Sequence, residues 1–365
     1  MNKVLQVVTI MNRGGIESML MNLYRNIDRE KIQFDFLVHR KEKGDFDDEI
    51  KEMGGNIYYV PAINPFHHRK YLKVLDDFFD NNKYKIVHSH IDTFSMYILR
   101  SAMKFGVPCR IAHAHIAKIR FNLKTVFRLY CKKRLEKFLT YRFACGEKAG
   151  KCFFGNSNFT ILNNAIDLSR FQFNKENNIL YRNKLGLNDS FVLGHIGRFF
   201  YQKNHSFLID IFAEIVKQEP NSKLILIGVG EKKNFIEKKA RDLGLSKKIL
   251  FLGIRKDITE LLNCMDVFVF PSLYEGLPVT LIEAQANGIH IVASDSITEK
   301  ARVTDLIQFL SLNKDASHWA NEILKYKSGY ERKFYLSELQ NAGYDVKVTA
   351  KWLEDFYLKE IENAN

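Results

Sequence analysis

The strongest constraint on the fold of this chain is an alternation that runs almost end to end and restarts once. Short apolar, β-branched runs trade places with segments of helical period: VLQVVTI, IESMLMNLYRNI, IQFDFLVH, DDEIKEMGG, NIYYVP, KYLKVLDDFFDNN and KIVHSH, then FSMYILRSAMKFG, RIAHAH and TYRFACG. Strands that read as continuous apolar runs with a helix between each pair belong to a parallel sheet covered on both faces. After ILNNAI and the polar stretch DLSRFQFNKENN the pattern restarts with FVLGHIG, a helix from about Asn204, KLILIGVG, KILFLG, DVFVFPS and HIVASD. At 365 residues the chain is also too long for one core. The expectation is an α/β protein of two Rossmann-like, doubly wound domains, residues 1–168 and 169–345, with a C-terminal helix at about 346–365 packing back on the first. Ligands of such sheets sit beyond the C-terminal strand ends, so two domains facing across a cleft gather their chemistry there.

Composition narrows the classes. Hydrophobic residues at 46% and charged residues at 27% exclude disorder as the main state. The formal charge of +13 favours polyanionic partners: phosphorylated ligands, membrane surfaces or nucleic acid. Five cysteines, none in a Cys-x-x-Cys, argue against a disulfide framework or zinc knuckle and for a reducing compartment. No apolar run approaches the roughly 18 residues of a membrane span, and MNKVLQVVTI enters a strand without a leader, so a cytoplasmic location is expected.

Three loops at strand ends carry the chemistry. Gly14 and Gly15 follow the first strand and open a helix, where bare amides approach an anion; a plain βα turn is the alternative. The spacing is not G-x-G-x-x-G and the second strand ends in Val38, His39 and Arg40 rather than an acid, which disfavours a dinucleotide dehydrogenase. In the second half, GRFFYQKNH places Arg198 and Lys203 in one strand-end loop, two cations suited to a diphosphate, although in isolation a solvated basic loop accounts for them equally. FPSLYEGLPVTLIEAQANG follows another strand: Glu275, Gly276 and Leu277 lie in the loop, and Glu283 lies on the next helix, a carboxylate able to accept from paired hydroxyls. Taken alone, that pair also reads as two surface glutamates.

Together, GRFFYQKN, FLGIRKD and FPSLYEGLPVTLIEAQANGIHIVASD, with NRGGIE near the start and ILNNAID before the boundary, resemble the retaining GT-B glycosyltransferases of family 4, in particular the bacterial capsule, exopolysaccharide and lipopolysaccharide enzymes. The resemblance implies a nucleotide-sugar donor, UDP-linked, as substrate with no other cofactor. It implies that Arg198 and Lys203 hold the diphosphate, with Gly14 and Gly15 against it from the first domain. Glu275 would contact the donor sugar, amides from Glu275 to Leu277 would hold sugar and phosphate, Glu283 would take the ribose hydroxyls, and Gly253 and Arg255 would lie beside the base. The acceptor would be a hydroxyl of a lipid-linked or saccharide molecule. A nucleotide-sugar epimerase or hydrolase of the same fold, or a non-catalytic membrane-associated scaffold, remain the alternatives.

His113 and His115 alternate along RIAHAH and share one strand face, as His88 and His90 do in HSH. The resemblance brings the last histidine, His115, to the donor sugar, with His90 and His113 in acceptor or secondary positions. Same-face imidazoles two apart also bind zinc, but no carboxylate or cysteine set accompanies them, and the expectation is no metal. The acids Asp45 to Asp47 read as a solvated helical face.

Between Arg100 and Lys151 stand 14 Lys or Arg against Glu136 and Glu147, a local balance of +12. Cations and apolar residues interleave through Lys118, Arg120, Phe121, Lys124, Phe127, Arg128, Lys132, Lys133 and Arg134, as in an interfacial helix on anionic lipid. The same stripe suits packing on the first domain with only the basic face wet. Nucleic acid is disfavoured because no reading module accompanies the charge. The expected setting is peripheral, at the inner face of the cell membrane.

Overall fold

The computed structural model describes residues 2–63, 68–116 and 125–364. The chain divides into two compact units: Met1–Ile166 with Gly343–Asn365, and Asp167–Ala342.

The first unit holds a seven-stranded parallel sheet of β1 (Asn2–Val8), β2 (Ile32–Val38), β3 (Ile57–Tyr59), β4 (Ile86–Ser89), β5 (Cys109–Ala114), β6 (Tyr141–Ala144) and β7 (Thr160–Ile161), in the order β3-β2-β1-β4-β5-β6-β7. Successive residues of β1 feed opposite faces. Val4 packs with Phe34, Phe36 and the C-terminal helix Val346–Asn363, while Leu5 and Val7 pack with Leu37, Tyr71 and Leu99. The C-terminal helix lies against the helix Gly15–Asn26, burying Val346, Ala350, Leu353, Tyr357 and Ile361. Its Glu354 accepts from the Asp28 amide at 2.9 Å, tying the chain's end to the turn before β2.

The second unit holds β8 (Phe191–Ile196), β9 (Ser222–Ile227), β10 (Ile249–Gly253), β11 (Val267–Phe270), β12 (His290–Ser294) and β13 (Ile307–Leu310), ordered β10-β9-β8-β11-β12-β13. This is the Rossmann order 3-2-1-4-5-6. In each unit the order reverses beside the first strand, between β1 and β4 and between β8 and β11, which opens the crevice where such sheets take ligands.

Two features depart from the sequence expectation. Ile307–Leu310 adds an edge strand, too short to declare itself by pattern and recruited through pairing with β12. Asp47 is not on a solvated face: it is buried, accepting from the Gly44 amide at 3.0 Å and the Tyr59 hydroxyl at 3.2 Å, while Asp45 accepts from the Arg13 amide. Both acids hold loop amides, but only Asp47 is withdrawn from water, and Asp45 stays exposed as expected. All five cysteines are unbridged.

Candidate active site

In the second unit the loops after β8 and β11 close on each other. The turn at Gly197 is tied back to β9, with the Gly197 amide donating to Ile227 O at 2.9 Å and the Phe199 amide to Val229 O at 3.0 Å. Gly228 permits this: at φ +139°, a Cβ there would stand 2.2 Å from Gly197 O. A short turn, Tyr201–Lys203, then delivers Lys203, and Asn204 at φ 52° starts the helix His205–Gln218.

Lys203 Nζ sits 2.8 Å from Glu275 Oε1, and Gln202 Nε2 donates to Glu275 Oε2 at 3.0 Å. The Leu273 amide donates to Gln202 O, and the Lys203 ammonium lies over the Phe270 ring at 4.5 Å. The two side chains of the pair are 17% and 9% exposed, so the charges hold each other in a partly dry setting at the reversal of strand order. Arg198, in the same loop, is exposed and makes no ion pair among the described residues. Sequence reading found Arg198, Lys203 and Glu275 but not Gln202, whose only signal was its place beside Lys203.

Beneath this loop lie His195 and His205, rings 4.7 Å apart. His195 Nδ1 meets Val269 O at 2.8 Å, and the other three ring nitrogens are buried without a partner among the described residues. Burial, aided by the Lys203 charge, holds both imidazoles neutral, His205 at about 4.

Glu283 is on the helix Val279–Ala286 as expected. Burial pushes its carboxyl up to about 7, eased only by Arg170. Gly276 is exposed and Leu277 leans on the unit's core, leaving the backbone before that helix open. Gly253 forms a bulge in β10 at φ +66°. Arg255 is held by Asp257, Nε to Oδ1 at 2.8 Å, and Tyr181 donates to the same carboxylate at 3.1 Å.

In the first unit, Gly15 opens the helix Gly15–Asn26 with free space where a Cβ would stand. Across the switch point, His88, His90, His113 and His115 form one stacked cluster, with His113 wholly buried and His115 just beyond the end of β5. Burial drives all four below the usual histidine range, His115 to about 3. The donor atoms of His88, His90 and His113 lie within 4.8 Å of one another, so the cluster has the composition, if not the free lone pairs, of a metal triad. Asp92, at φ 47°, holds the His115 amide at 3.2 Å, and burial raises its carboxyl to about 6. Sequence reading missed Asp92, and also Gln6 and Tyr357, which hydrogen-bond to the cluster.

The basic segment is corrected in detail. Lys118, Arg120, Phe121 and Lys124 lie outside the described residues. In the helix Thr125–Leu135, Phe127 does not face outward: it packs near Phe94 and Tyr97, with Cys131 and Leu135 buried on the same side, because one helix face must complete the core beside β5. Lys132 donates to Cys152 O at 2.8 Å, and Arg128 is half-buried near Asp92. The wet face carries Val126 (76% exposed), Leu129, Tyr130, Lys133 and Arg134. No helix among the described residues is long and apolar enough to cross a membrane.

The family model "Glycosyl transferases group 1" matches residues 177–339. EpsF of Bacillus subtilis, a glycosyltransferase by name, is 38% identical over 97% of this chain and 96% of its own length. The capsular polysaccharide biosynthesis glycosyltransferase CapH of Staphylococcus aureus is 28% identical over 99% of both chains. The UDP-Gal:α-D-GlcNAc-diphosphoundecaprenol α-1,3-galactosyltransferase of Escherichia coli is 29% identical over 77% of this chain and 76% of that one. Among solved structures, a glycosyltransferase of Rickettsia africae matches with a TM-score of 0.79 over 99% of both chains at 16% identity. Anabaena HepE in complex with UDP-glucose matches with 0.71 over 99% of this chain and 98% of that one at 17% identity. Two parallel Rossmann-like sheets, the paired loops at their switch points and full-length similarity to EpsF converge: the chain belongs to the group 1 glycosyltransferases and has the GT-B fold.

Proposed function

We propose that the protein moves a hexose-type sugar from a UDP-sugar to a hydroxyl of a lipid-linked or saccharide acceptor, with retention at the anomeric carbon, in bacterial surface polysaccharide synthesis. The observation that carries this reading is the Lys203–Glu275 pair beside the exposed Arg198 at the switch point of a Rossmann sheet. Two cations suit a diphosphate, and a carboxylate within reach of them suits the hydroxyls of the sugar it carries. The relatives named for capsule synthesis and for a diphosphoundecaprenol acceptor support the pathway class and the acceptor class.

In this reading Arg198 and Lys203 hold the diphosphate and Glu275 the sugar, while Glu283 takes the ribose hydroxyls and Gly253 and Arg255 flank the base. Amides at Gly276 and Leu277, and those opened by Gly14 and Gly15, complete the phosphate and sugar contacts. His115 attends the transferred sugar, with His90 and His113 behind it. The acceptor oxygen forms its bond to the anomeric carbon as the bond to the diphosphate breaks. The acceptor's proton passes to the departing phosphate oxygen, whose growing charge Arg198 and Lys203 stabilise. Two cations supply the charge that a divalent metal would otherwise bring. The test is incubation of labelled UDP-sugars with lipid-linked acceptor in EDTA, with product stereochemistry read by NMR. Transfer with retention is expected. Sugar release or epimerisation without acceptor, or activity only on adding Mg²⁺ or Mn²⁺, overturns the reading.

The enzyme is also proposed to work at an anionic membrane surface, supported by Val126, Leu129 and Tyr130 standing exposed among Lys133 and Arg134. Each cation near such a surface contributes about 1 kcal/mol, and salt shortens that reach to roughly 3 Å at 1 M. The protein should float with anionic liposomes at low salt and be released by high salt or by Lys133→Glu with Arg134→Glu. Equal flotation with neutral liposomes refutes the electrostatic mechanism.

A further inference from the structure

Four histidines at the ends of β4 and β5 are wired to one side chain of β1. Gln6 Nε2 donates to the Tyr357 hydroxyl at 3.3 Å, and Gln6 Oε1 accepts from His90 Nε2 at 2.9 Å. Two hydrogen-bonded arms leave from there, and each bond fixes the next. Burial keeps all four imidazoles neutral, so each ring has one N–H and one lone pair.

Along the first arm, the Tyr357 oxygen already accepts from Gln6 and gives its only proton to His88 Nδ1 at 2.6 Å. His88 therefore carries its hydrogen on Nε2 and donates it to His113 Nδ1 at 3.1 Å, which leaves the hydrogen of His113 on Nε2. Along the second, the Gln6 oxygen can only accept, so His90 is protonated at Nε2. His90 Nδ1 then accepts from His115 Nε2 at 3.1 Å, which leaves a lone pair on His115 Nδ1. The arms end on His113 Nε2 and His115 Nδ1, two buried atoms without a partner among the described residues, on rings stacked 4.2 Å apart. One end is a donor and the other an acceptor. Turning the Gln6 amide over reverses every bond in both arms, gives four Nδ1–H rings and exchanges the two ends, His113 Nε2 becoming the acceptor and His115 Nδ1 the donor, so that one of each is still presented.

We propose that Gln6, acting with Tyr357, is the positioning residue of this array: it forces the four rings into one common tautomer, so that His113 Nε2 and His115 Nδ1 jointly offer one donor and one acceptor to a substrate hydroxyl. A hydroxyl has one proton to give and an oxygen to receive another, which is what this pair complements. An anion calls for two donors. A metal calls for lone pairs, and those at Nδ1 of His88, His90 and His113 are already taken by hydrogen bonds. Left empty, the pair carries the desolvation cost of two unsatisfied buried groups, which a bound hydroxyl relieves. The inference deepens the glycosyl-transfer reading and rests on it for the identity of the hydroxyl, which belongs to the donor sugar or to the acceptor.

The tautomers are measurable without substrate, by ring ¹⁵N shifts of histidine-labelled, ligand-free protein. All four rings are expected in one tautomer, Nε2–H for the amide orientation seen here. Tyr357→Phe should release His88 and His113 into a mixture while His90 and His115 keep theirs, and Gln6→Met should release both arms. Mixed tautomers in the wild type, an imidazolium at pH 7, or stoichiometric zinc on the ring nitrogens overturns the proposal. Failure of transfer to any acceptor is a separate result and touches only the functional reading. In the transfer assay Tyr357→Phe should lower kcat about 10- to 100-fold with donor KM within about twofold, and an unchanged kcat with released tautomers would sever the array from catalysis. With the UDP-sugar and acceptor identified by that assay, a His113 and His115 shift on adding UDP-sugar but not UDP assigns the hydroxyl to the donor. A shift only with acceptor assigns it there, and a shift with UDP alone or with neither refutes hydroxyl recognition.

Discussion

Arg198→Ala and Lys203→Ala are each expected to lower kcat/KM by on the order of 10² to 10³, about 2.7 to 4 kcal/mol, the cost of removing one preorganised donor from developing charge. The two variants should differ in stability. Arg198 is exposed and unpaired among the described residues, so its loss leaves the folded protein unchanged. Lys203 partners Glu275, and its loss leaves that carboxylate with Gln202 alone in a partly dry site. Lys203→Ala should therefore also destabilise the protein, by on the order of 2 kcal/mol in urea denaturation. Wild-type kcat/KM in both variants would remove the diphosphate from this loop. Because the ammonium faces Glu275 before any donor arrives, donor binding exchanges a carboxylate for phosphate oxygens, and high salt should weaken it less than it weakens flotation on anionic liposomes.

Glu283→Gln should separate stability from binding. A carboxyl raised in the fold from 4.5 to about 7 disfavours folding where it is ionised. That cost is absent below about pH 4.5, grows between 4.5 and 7, and is complete above 7, where the shift corresponds to about 3 kcal/mol. Glu283→Gln is thus expected to leave stability unchanged near pH 4.5 and to raise it above pH 7 by up to that amount in urea denaturation. Donor affinity should move the other way. An ionised carboxylate accepts from two hydroxyls, and losing hydrogen bonds to a charged group costs about 1.5 to 3 kcal/mol, roughly a 10- to 100-fold weaker Kd. Wild-type affinity should tighten as pH rises from 6 to 8 and the Gln variant should show no such slope in calorimetric titration. A variant no more stable at pH 8, with wild-type donor affinity, would remove Glu283 from the nucleotide site.

The parallel sheets were legible because their strands are buried on both faces and so read as near-continuous apolar runs, VFVF and, broken only by Gln6, VLQVV among them. The placement of Arg198, Lys203 and Glu275 in strand-end loops, and of Glu283 on the helix that follows, was legible for a related reason: a Rossmann strand and the helix after it leave only a few residues of loop between them. HSH and HAH likewise announced same-face histidine pairs by their period of two.

What the sequence could not contain was anything that depends on which faces meet. Phe127 and Val126 are neighbours in one amphipathic stripe, and only packing against Phe94 and Tyr97 turned the first inward and left the second wet. Asp47 looks solvated until the Gly44 loop and Tyr59 close over it. Gln6 and Tyr357 stand 351 residues apart, on the first strand and the last helix, and neither carries a local signal of acting on histidines. Strand identity and loop chemistry follow from local period and residue type, which the chain states directly. Tautomer, burial and charge state follow from contacts between distant elements, which exist only once the C-terminal helix has returned to the sheet it covers.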